Sequence, residues 1–474
     1  MKQTEHFRIP AQSKCSIETA GALTPYTIDS QFLTSWEIGS RRIPPIRLKD
    51  LGLAMRHSST AVDAASRVSL FSRNGRFVFF SALLAAISLF VGEESTPPPI
   101  FMSIKTLDTP TIPSKPHPQE KYLQTLKPML PEKLQHLRSS KGPKYTVLVT
   151  GAAGFVGMHT CLELQRLGMT PIGYDVVNAY YSTQLKDLRI QQLTSHNITF
   201  VKGDVCDAQL LRETIEKYRV TRVIHLAAQA GVRYSLEHPL EYTRNNIDCM
   251  VVLLQTLVKM GFTKDPLVYA SSSSVYGNNA KIPFQETDPI RDPVSLYAAT
   301  KQSDELIART YYNLYNFSSI GLRLFTVYGP FGRPDMAPFI FVDQVSNHQT
   351  IPVFNHGQSQ RDFTYVDDIV QGIVNSLFVP SSVIRNAELI NLGNGRPIVL
   401  HDFVSMVEQA VGQKAMVKHM GMQKGDVPVT FADISKAQYI LGYQPQTTIE
   451  QGIPKFVDWF RQYDAGQYRM KNNR

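Results

Sequence analysis

Tyr297 and Lys301 stand four residues apart in the stretch SLYAATK. On a helix that spacing puts both side chains on one face, one turn apart. A phenol is a poor base at neutral pH. An ammonium held beside it favours the phenolate. The pair then reads as a general base that takes a proton from a substrate hydroxyl, with the lysine also able to hold a ribose. Such a spacing also occurs by chance in surface helices, so the reading depends on what surrounds it. Upstream lies ASSSSVYG, residues 270–277, a row of hydroxyls at the end of an apolar segment. Ser272 is the candidate proton bridge between substrate and Tyr297. Ser273 is a candidate substrate contact, and Ser271 reads as a turn or N-cap serine.

A second chemical signal is YTVLVTGAAGFVG, residues 145–157. An apolar strand runs into a turn carrying Gly151, Gly154 and Gly157, and a helical pattern follows from about Met158. Glycines at this spacing let the backbone turn tightly and approach a pyrophosphate, which then faces the N–H groups of the helix. Phe155 and Val156 belong to the same cofactor wall. Asp175 ends the next apolar strand, 24 residues after Gly151, near the ~20 expected for a ribose-binding acid. An acid here, rather than an arginine, favours NAD over NADP. Asp204, after the strand 199–202, is a candidate contact for the adenine amino group, with an ordinary helix N-cap as the other reading. Val205, and Ala227 and Ala228 after RVIHL, are candidate cofactor contacts. His225 inside that strand reads as a core histidine, satisfied by hydrogen bonding.

These residues need strand ends to hold them. Strands are expected at 147–149, 171–175, 199–202, 222–226, 267–270 and 320–325, with helices over about 240–260 and 296–315. Alternating strands and helices predict an α/β fold with a doubly wound parallel sheet, the Rossmann arrangement. Ligands then bind at the carboxyl ends of the strands. The division expected is a cofactor-binding part mostly over 144–325 and a smaller substrate-binding part mostly over 326–462.

The chain has 474 residues and a net charge of +9. Residues 1–144 carry 19 Lys+Arg against 11 Asp+Glu, and the remainder 30 against 29. The basic excess therefore belongs to the leader, and no basic face for nucleic acid is evident. The four cysteines, Cys15, Cys161, Cys206 and Cys249, form no CxxC pair and no Cys/His cluster, so neither a metal site nor a disulfide framework is expected. Cys161 and Cys249 read as buried free thiols. Residues 1–76 are polar and read as a disordered cytosolic leader. Residues 77–92, FVFFSALLAAISLFVG, are apolar and uncharged, with Arg67, Arg73 and Arg76 before them and Glu93 and Glu94 after. They read as a short retained membrane anchor, with the basic side in the cytosol and the rest in the lumen; a cleaved or otherwise targeted leader and a buried core helix are the other readings. Residues 93–143 are Pro-rich and read as a stem. Two sequons, Asn197-Ile-Thr and Asn316-Phe-Ser, would matter only in a lumenal protein.

Taken together, these residues resemble the NAD-dependent epimerase/dehydratase family of extended short-chain dehydrogenase/reductases, and within it the UDP-glucuronate 4-epimerases. The resemblance covers 145–462 and rests on VTGAAGFVG, HLAAQAGVRYS, ASSSSVYG, SLYAATK, LRLFTVYGPFGRPDM, RDFTYVDDIV and GDVPVTFAD. It implies bound NAD, a UDP-sugar substrate, and epimerisation through transient oxidation at C4. Arg361 and the Asn246 region are then nucleotide-side contacts. Thr326 and Arg333 match positions that hold the sugar carboxylate, with Arg233 a further candidate. A homodimer through a four-helix bundle of 240–260 and 296–315 is implied. So is a single-pass secretory-pathway location such as the Golgi, with the catalytic part lumenal. Within the family, dehydratases carry Thr-Asp-Glu where this chain has Ser272-Ser273-Ser274, and UDP-glucuronate decarboxylases carry a glutamate in the place of Ser274. UDP-glucose or UDP-xylose 4-epimerases, a UDP-glucuronate decarboxylase, and a catalytically silent NAD-binding protein are the competing readings.

Overall fold

A computed structural model describes residues 144–465, apart from 263–264, 381–382, 385–386 and 424, together with a two-residue antiparallel ladder of Glu37–Ile38 with Arg41–Arg42. The chain separates into units Met1–Thr109 and Pro110–Arg474. Apart from that ladder, the expected cytosolic leader, the 77–92 anchor and the stem lie outside the described residues. Among the described residues, no helix is long and apolar enough to cross a membrane.

The strands run β1 Thr146–Thr150, β2 Thr170–Asp175, β3 Thr199–Lys202, β4 Arg222–His225, β5 Leu267–Ser272, β6 Ser319–Leu324, β7 Thr326–Tyr328, β8 Thr350–Val353, β9 Gln360–Tyr365, β10 Ala387–Leu392, β11 Pro397–Val399 and β12 Met416–His419. The helices used below are α1 Phe155–Arg166, α2 Thr183–Ser195, α3 Ala208–Lys217, α4 Cys249–Lys259, α5 Leu296–Tyr315 and α6 Ala337–Ser346. Seven strands form one parallel sheet in the order β10-β6-β5-β4-β1-β2-β3. Beside it, β9 pairs with β7 in parallel and with β11 antiparallel, and β8 pairs with β12.

The sheet is covered on both faces, as its apolar strands require. Val147 and Val149 of β1 enter one core, with Met158 and Leu164 of α1. Leu148 enters the other, with Leu253, Leu254 and Leu257 of α4. Each such leucine, fully buried, contributes about 1.5–3 kcal/mol.

The parallel sheet and most of its strands follow the sequence reading. Beyond residue 326, β10 returns to pair with β6 in the main sheet. One helix start is corrected: the helix after the glycine turn begins at Phe155, three residues earlier than Met158. The helix expected over 240–260 is present over 239–259, as a helical turn Pro239–Tyr242, a π-helical stretch Thr243–Asp248 and α4, with helical backbone at each junction. Asn246 sits in that stretch and bonds the Gln229 backbone and Thr300. The wider turn brings its amide to both partners.

Cysteine pairing is also corrected. Cys249 is joined to Cys206 by a disulfide spanning 43 residues. The turn after β3 lies against the start of α4, a juxtaposition that sequence spacing alone does not reveal. Cys161 is buried and free, with burial pushing its thiol pKa up.

His225 is a core histidine. Its Nδ1 lies 2.7 Å from Thr150 Oγ1. Burial, with a smaller effect of Lys301, lowers its pKa to about 3. Unfolded, an imidazole takes up its proton near pH 6.5. The stability that follows from keeping it neutral is therefore full above pH 6.5 and is lost as pH falls toward 3. We expect the stability lost by His225→Gln between pH 7 and pH 5 to be smaller than the wild-type loss by about 2 kcal/mol, from urea unfolding at each pH. Equal losses in the two proteins would mean that His225 titrates in the fold as it does in the unfolded chain.

Candidate active site

A cavity of about 350 Å³ opens at the carboxyl ends of the central strands. The glycine loop forms part of it. Gly151 has φ +76°, and a Cβ there would stand 2.7 Å from the Ala227 amide nitrogen. A Cβ at Gly157 would collide with the Gly151 carbonyl. Only glycine leaves β1, the loop and α1 this close together, and the loop backbone is left bare toward the cavity.

Asp175 closes the loop from below. Its carboxylate accepts the Ala153 amide at 3.1 Å and the Val177 amide at 2.7 Å. Each oxygen keeps lone pairs for a further donor. Burial raises its pKa, against those two bonds and the charge of Lys186. Asp204, Val205, Ala227 and Ala228 also line the cavity. The helix cap after β3 is Asp207, which leaves Asp204 free of that role. Its carboxylate accepts the Cys206 amide at 2.9 Å and pairs with Arg244 at 2.7 Å. Bare glycine backbone, a partly engaged acid and a row of small residues fit a dinucleotide such as NAD.

Tyr297 and Lys301 face the same cavity from the first turns of α5. Ser295 caps the helix, accepting the Ala298 amide at 3.1 Å. The Tyr297 ring packs edge-on to Tyr242, with centroids 6.1 Å apart. Lys301 is 3% exposed and donates to the Ala270 carbonyl and to Asp304, each at 3.0 Å. Burial opposes its charge, but Asp304 and Tyr297 outweigh that and raise its pKa. Burial drives the Asp304 carboxyl up to about 6 in spite of Lys301. The ammonium is thus retained inside the protein, electrostatically coupled to the phenol.

Ser271, Ser272, Ser273 and Ser274 all line the cavity. Their roles differ from expectation. Ser271 is no cap; it donates to Glu305 at 2.6 Å. Glu305 in turn holds Arg323 through two bonds of 2.8 and 2.7 Å. Ser272 is the cap, accepting the Ser274 amide, and its hydroxyl donates to Ser274 Oγ at 3.2 Å. Ser272 and Ser274 are thus linked at the end of β5. The carboxylates lining the cavity are Asp175 and Asp204, neither of them in the serine row.

Thr326 and Arg333 line the cavity as well. Arg333 is already engaged: its Nε donates to Asp335 at 3.0 Å, and Tyr180 donates to the same carboxylate at 2.9 Å. Burial resists ionisation of Asp335, yet Arg333 and Tyr180 hold it below the usual carboxylate range. Arg233 and Arg361 are not among the lining residues. They converge on Asp426, at 3.8 and 3.9 Å, and Arg233 lies over the Phe354 ring at 4.8 Å. Two guanidiniums share one carboxylate there, leaving an excess of positive charge. Asn246 is also withdrawn from the cavity, because its amide is fully used inside the wall; Asn245 lines the cavity in its place.

Sequence reasoning missed several residues. Lys186 lines the cavity and donates to the Asn178 backbone and side chain at 2.7 and 2.6 Å. Burial pulls its pKa to about 8, with Asp175 opposing. Arg189, fully buried, donates to Ala153, Tyr181, Phe331 and Gly332, tying the glycine loop to the loop that carries Arg333. Both sit on α2, whose polar residues carry no motif. The Lys-Asp spacing on α5 was the one visible signal for Asp304.

A family model described as GDP-mannose 4,6 dehydratase matches residues 148–456. The chain is 45% identical over 343 residues to UDP-glucuronate 4-epimerase 4 of Arabidopsis thaliana, covering 70% of this chain and 78% of that one. It is 43% identical over 331 residues to protein CapI of Staphylococcus aureus, covering 67% and 98%. Its fold is similar to the crystal structure of UDP-glucuronic acid 4-epimerase from Bacillus cereus in complex with UDP-glucuronic acid and NAD, with TM-score 0.62, 33% identity, and 67% and 99% of the two chains covered. With a model match over most of its length and relatives of this identity, the chain belongs to the NAD-dependent epimerase/dehydratase family.

Proposed function

We infer that this protein is an NAD-dependent UDP-glucuronate 4-epimerase that makes UDP-galacturonate. The observation that carries the reading is the serine row beside Tyr297 and Lys301. It offers hydroxyls and no acid to the sugar, on a wall shared with the dinucleotide site. Relatives at 42–45% identity named UDP-glucuronate 4-epimerase support the substrate.

Held by the glycine loop, Asp175 and Asp204, NAD would supply the hydride acceptor for C4 of the sugar and the donor for its return. Tyr297 takes the proton of the 4-hydroxyl, with Ser272 and Ser274 bridging to the substrate. Lys301 stabilises the negative charge on the phenol oxygen, and it stays charged because Ala270 and Asp304 hold it. For inversion, the 4-keto sugar has to present its other face before the hydride returns. Arg361 and Arg233, with only Asp426 between them, suit the UDP diphosphate as an anchor. A 4-keto uronate is a β-keto acid and loses CO2 readily. Thr326, Ser273 and Arg333 hold its carboxylate out of the decarboxylating orientation.

The chain is also proposed to form a homodimer through the 240–260 segment and α5. Leu240, Leu306 and Leu314 are 80%, 66% and 66% exposed, apolar area that supports such a contact. Anchorage by residues 77–92, with the catalytic part in the lumen of the Golgi or another secretory compartment, completes the proposal. The disulfide supports an oxidising compartment. Asn197 and Asn316, the sequon asparagines, are exposed.

Incubated with UDP-glucuronate and no added cofactor, the protein is expected to give UDP-galacturonate on chromatography. UDP-xylose would instead mark a decarboxylase, and no turnover of any UDP-sugar a silent NAD-binding protein. Tyr297→Phe should lower kcat by about 10²–10⁴-fold while NAD still binds; undiminished turnover would remove the phenol from the mechanism. Arg333→Ala should release a UDP-pentose alongside a lowered epimerase rate, and turnover with neither change would show that the guanidinium does not restrain the carboxylate. In sealed vesicles, a C-terminal tag should resist protease until detergent is added; digestion beforehand would place the catalytic part in the cytosol.

A further inference from the structure

We propose that the Cys206–Cys249 disulfide is a covalent latch on the adenine end of the cavity, so that retention of NAD depends on the redox state of this pair. The inference rests on the reading of the cavity as an NAD site. It is carried by where the two sulfurs lie.

Gly203, Asp204 and Val205 form one wall of the cavity, and Asn245 of the π-helical stretch and Cys249 at the start of α4 face it. These two walls come from segments that no strand pairing joins. The disulfide joins them. Asp204 is held from both sides of that joint. One oxygen accepts the amide of Cys206 at 2.9 Å, and the other pairs with Arg244, in the π-helical stretch leading to Cys249, at 2.7 Å. Cys249 Sγ also touches Asp204, 3.7 Å from Oδ1. Arg244 is half exposed, and an ion pair of that kind contributes little by itself. Val205 shares a buried core with Met250 and Leu253 of α4, so packing holds the turn nearby and the covalent link fixes how closely its Cys206 end lies against α4.

Reduction replaces the sulfur–sulfur bond by two thiols, which cannot approach closer than van der Waals contact. The turn after β3 then moves away from α4, and the Asp204 wall opens. The step is ordinary thiol–disulfide exchange. A dithiol thiolate attacks one sulfur, the Cys206–Cys249 bond breaks, and the dithiol closes on itself. Its two electrons pass to the protein pair, which leaves as two thiols with two protons. A small-molecule disulfide reverses the step by accepting the electrons. Cys206 is half-buried and Cys249 buried, so exchange begins at Cys206. Coupling of this kind is reciprocal: if the disulfide favours NAD, NAD favours the disulfide.

The test uses the full-length protein, stripped of nucleotide, in oxidised form and after dithiothreitol. Alkylation and peptide mass mapping report the state of Cys206 and Cys249. NAD is then titrated into each by calorimetry. The reduced form is expected to bind NAD about 5–150-fold more weakly, the usual span of coupling between two sites. Separately, the pair is titrated in glutathione redox buffers with and without saturating NAD. The disulfide should be favoured in the presence of NAD by the same factor. Cys206→Ser should behave as the reduced form; should it fail to fold, the wild-type redox titration still decides. Equal NAD affinity in both forms, with a redox midpoint that NAD does not move, would overturn the latch and leave the NAD reading intact. No NAD binding by either form would overturn both.

Discussion

An ammonium kept charged inside the protein is the constraint on which the site depends. Burying an ion costs several kcal/mol unless partners replace its water. Lys301 has two such partners. One is the Ala270 carbonyl near the end of β5, and the other is Asp304, one turn along its own helix. The first bond fixes α5 against the strand that ends in the serine row. Tyr297, one turn before Lys301, is therefore held over the same strand end. The neighbouring Glu305 repeats the fastening, joined to Ser271 of β5 and to Arg323 of β6. Two consecutive acids on α5 thus serve two different cations. One positions the base and the other ties its helix to the sheet.

The opposite wall is set by steric exclusion rather than charge. At Gly151 and Gly157 the chain comes closer to itself than any Cβ allows. The loop is then fixed in place by Asp175 through Ala153 and by Arg189 through the carbonyl of the same residue. Arg189 also bonds Phe331 and Gly332, so the loop that meets the dinucleotide and the loop that presents Arg333 share one buried cation. The two ends of the cavity are thereby coupled mechanically through α2.

What the sequence made legible was local. Strand runs such as Leu148 and its neighbours, the glycine spacing and the Tyr297–Lys301 turn each declare themselves within a dozen residues. The residues it hid depend on packing between distant segments. Asn246 was expected at the nucleotide, but a π-helical turn moved that face to Asn245. Cys206 and Cys249 gave no sign of pairing, since 43 residues separate them. Arg189 looked like any helix-surface arginine. The return of β10 to the main sheet had no marker, because a short apolar strand pairs wherever an edge is open. Ser271 is not the cap it reads as, because a neighbouring buried acid, invisible in the motif, claims it, and Ser272 caps instead.

The sugar end shows how restraint and mobility are reconciled. An epimerase of this mechanism has to grip the nucleotide while the oxidised sugar changes face. The proposed diphosphate anchor, Arg361 and Arg233, has one aspartate between its two guanidiniums, which leaves positive charge unspent. Arg333 is different: Asp335 already neutralises it, and Tyr180 holds Asp335 in place. A uronate carboxylate reaching Arg333 therefore competes with a bound acid, and the net attraction is weaker than a bare guanidinium would give. A neutral hexose leaves that internal pair undisturbed and gains nothing from it. The arrangement favours a carboxylate without fixing it, and a carboxylate held too firmly would tether the ring that has to turn. On this reading Asp335 sets the strength of the grip and Thr326 and Ser273 set its direction, while the energy of binding is supplied at the nucleotide.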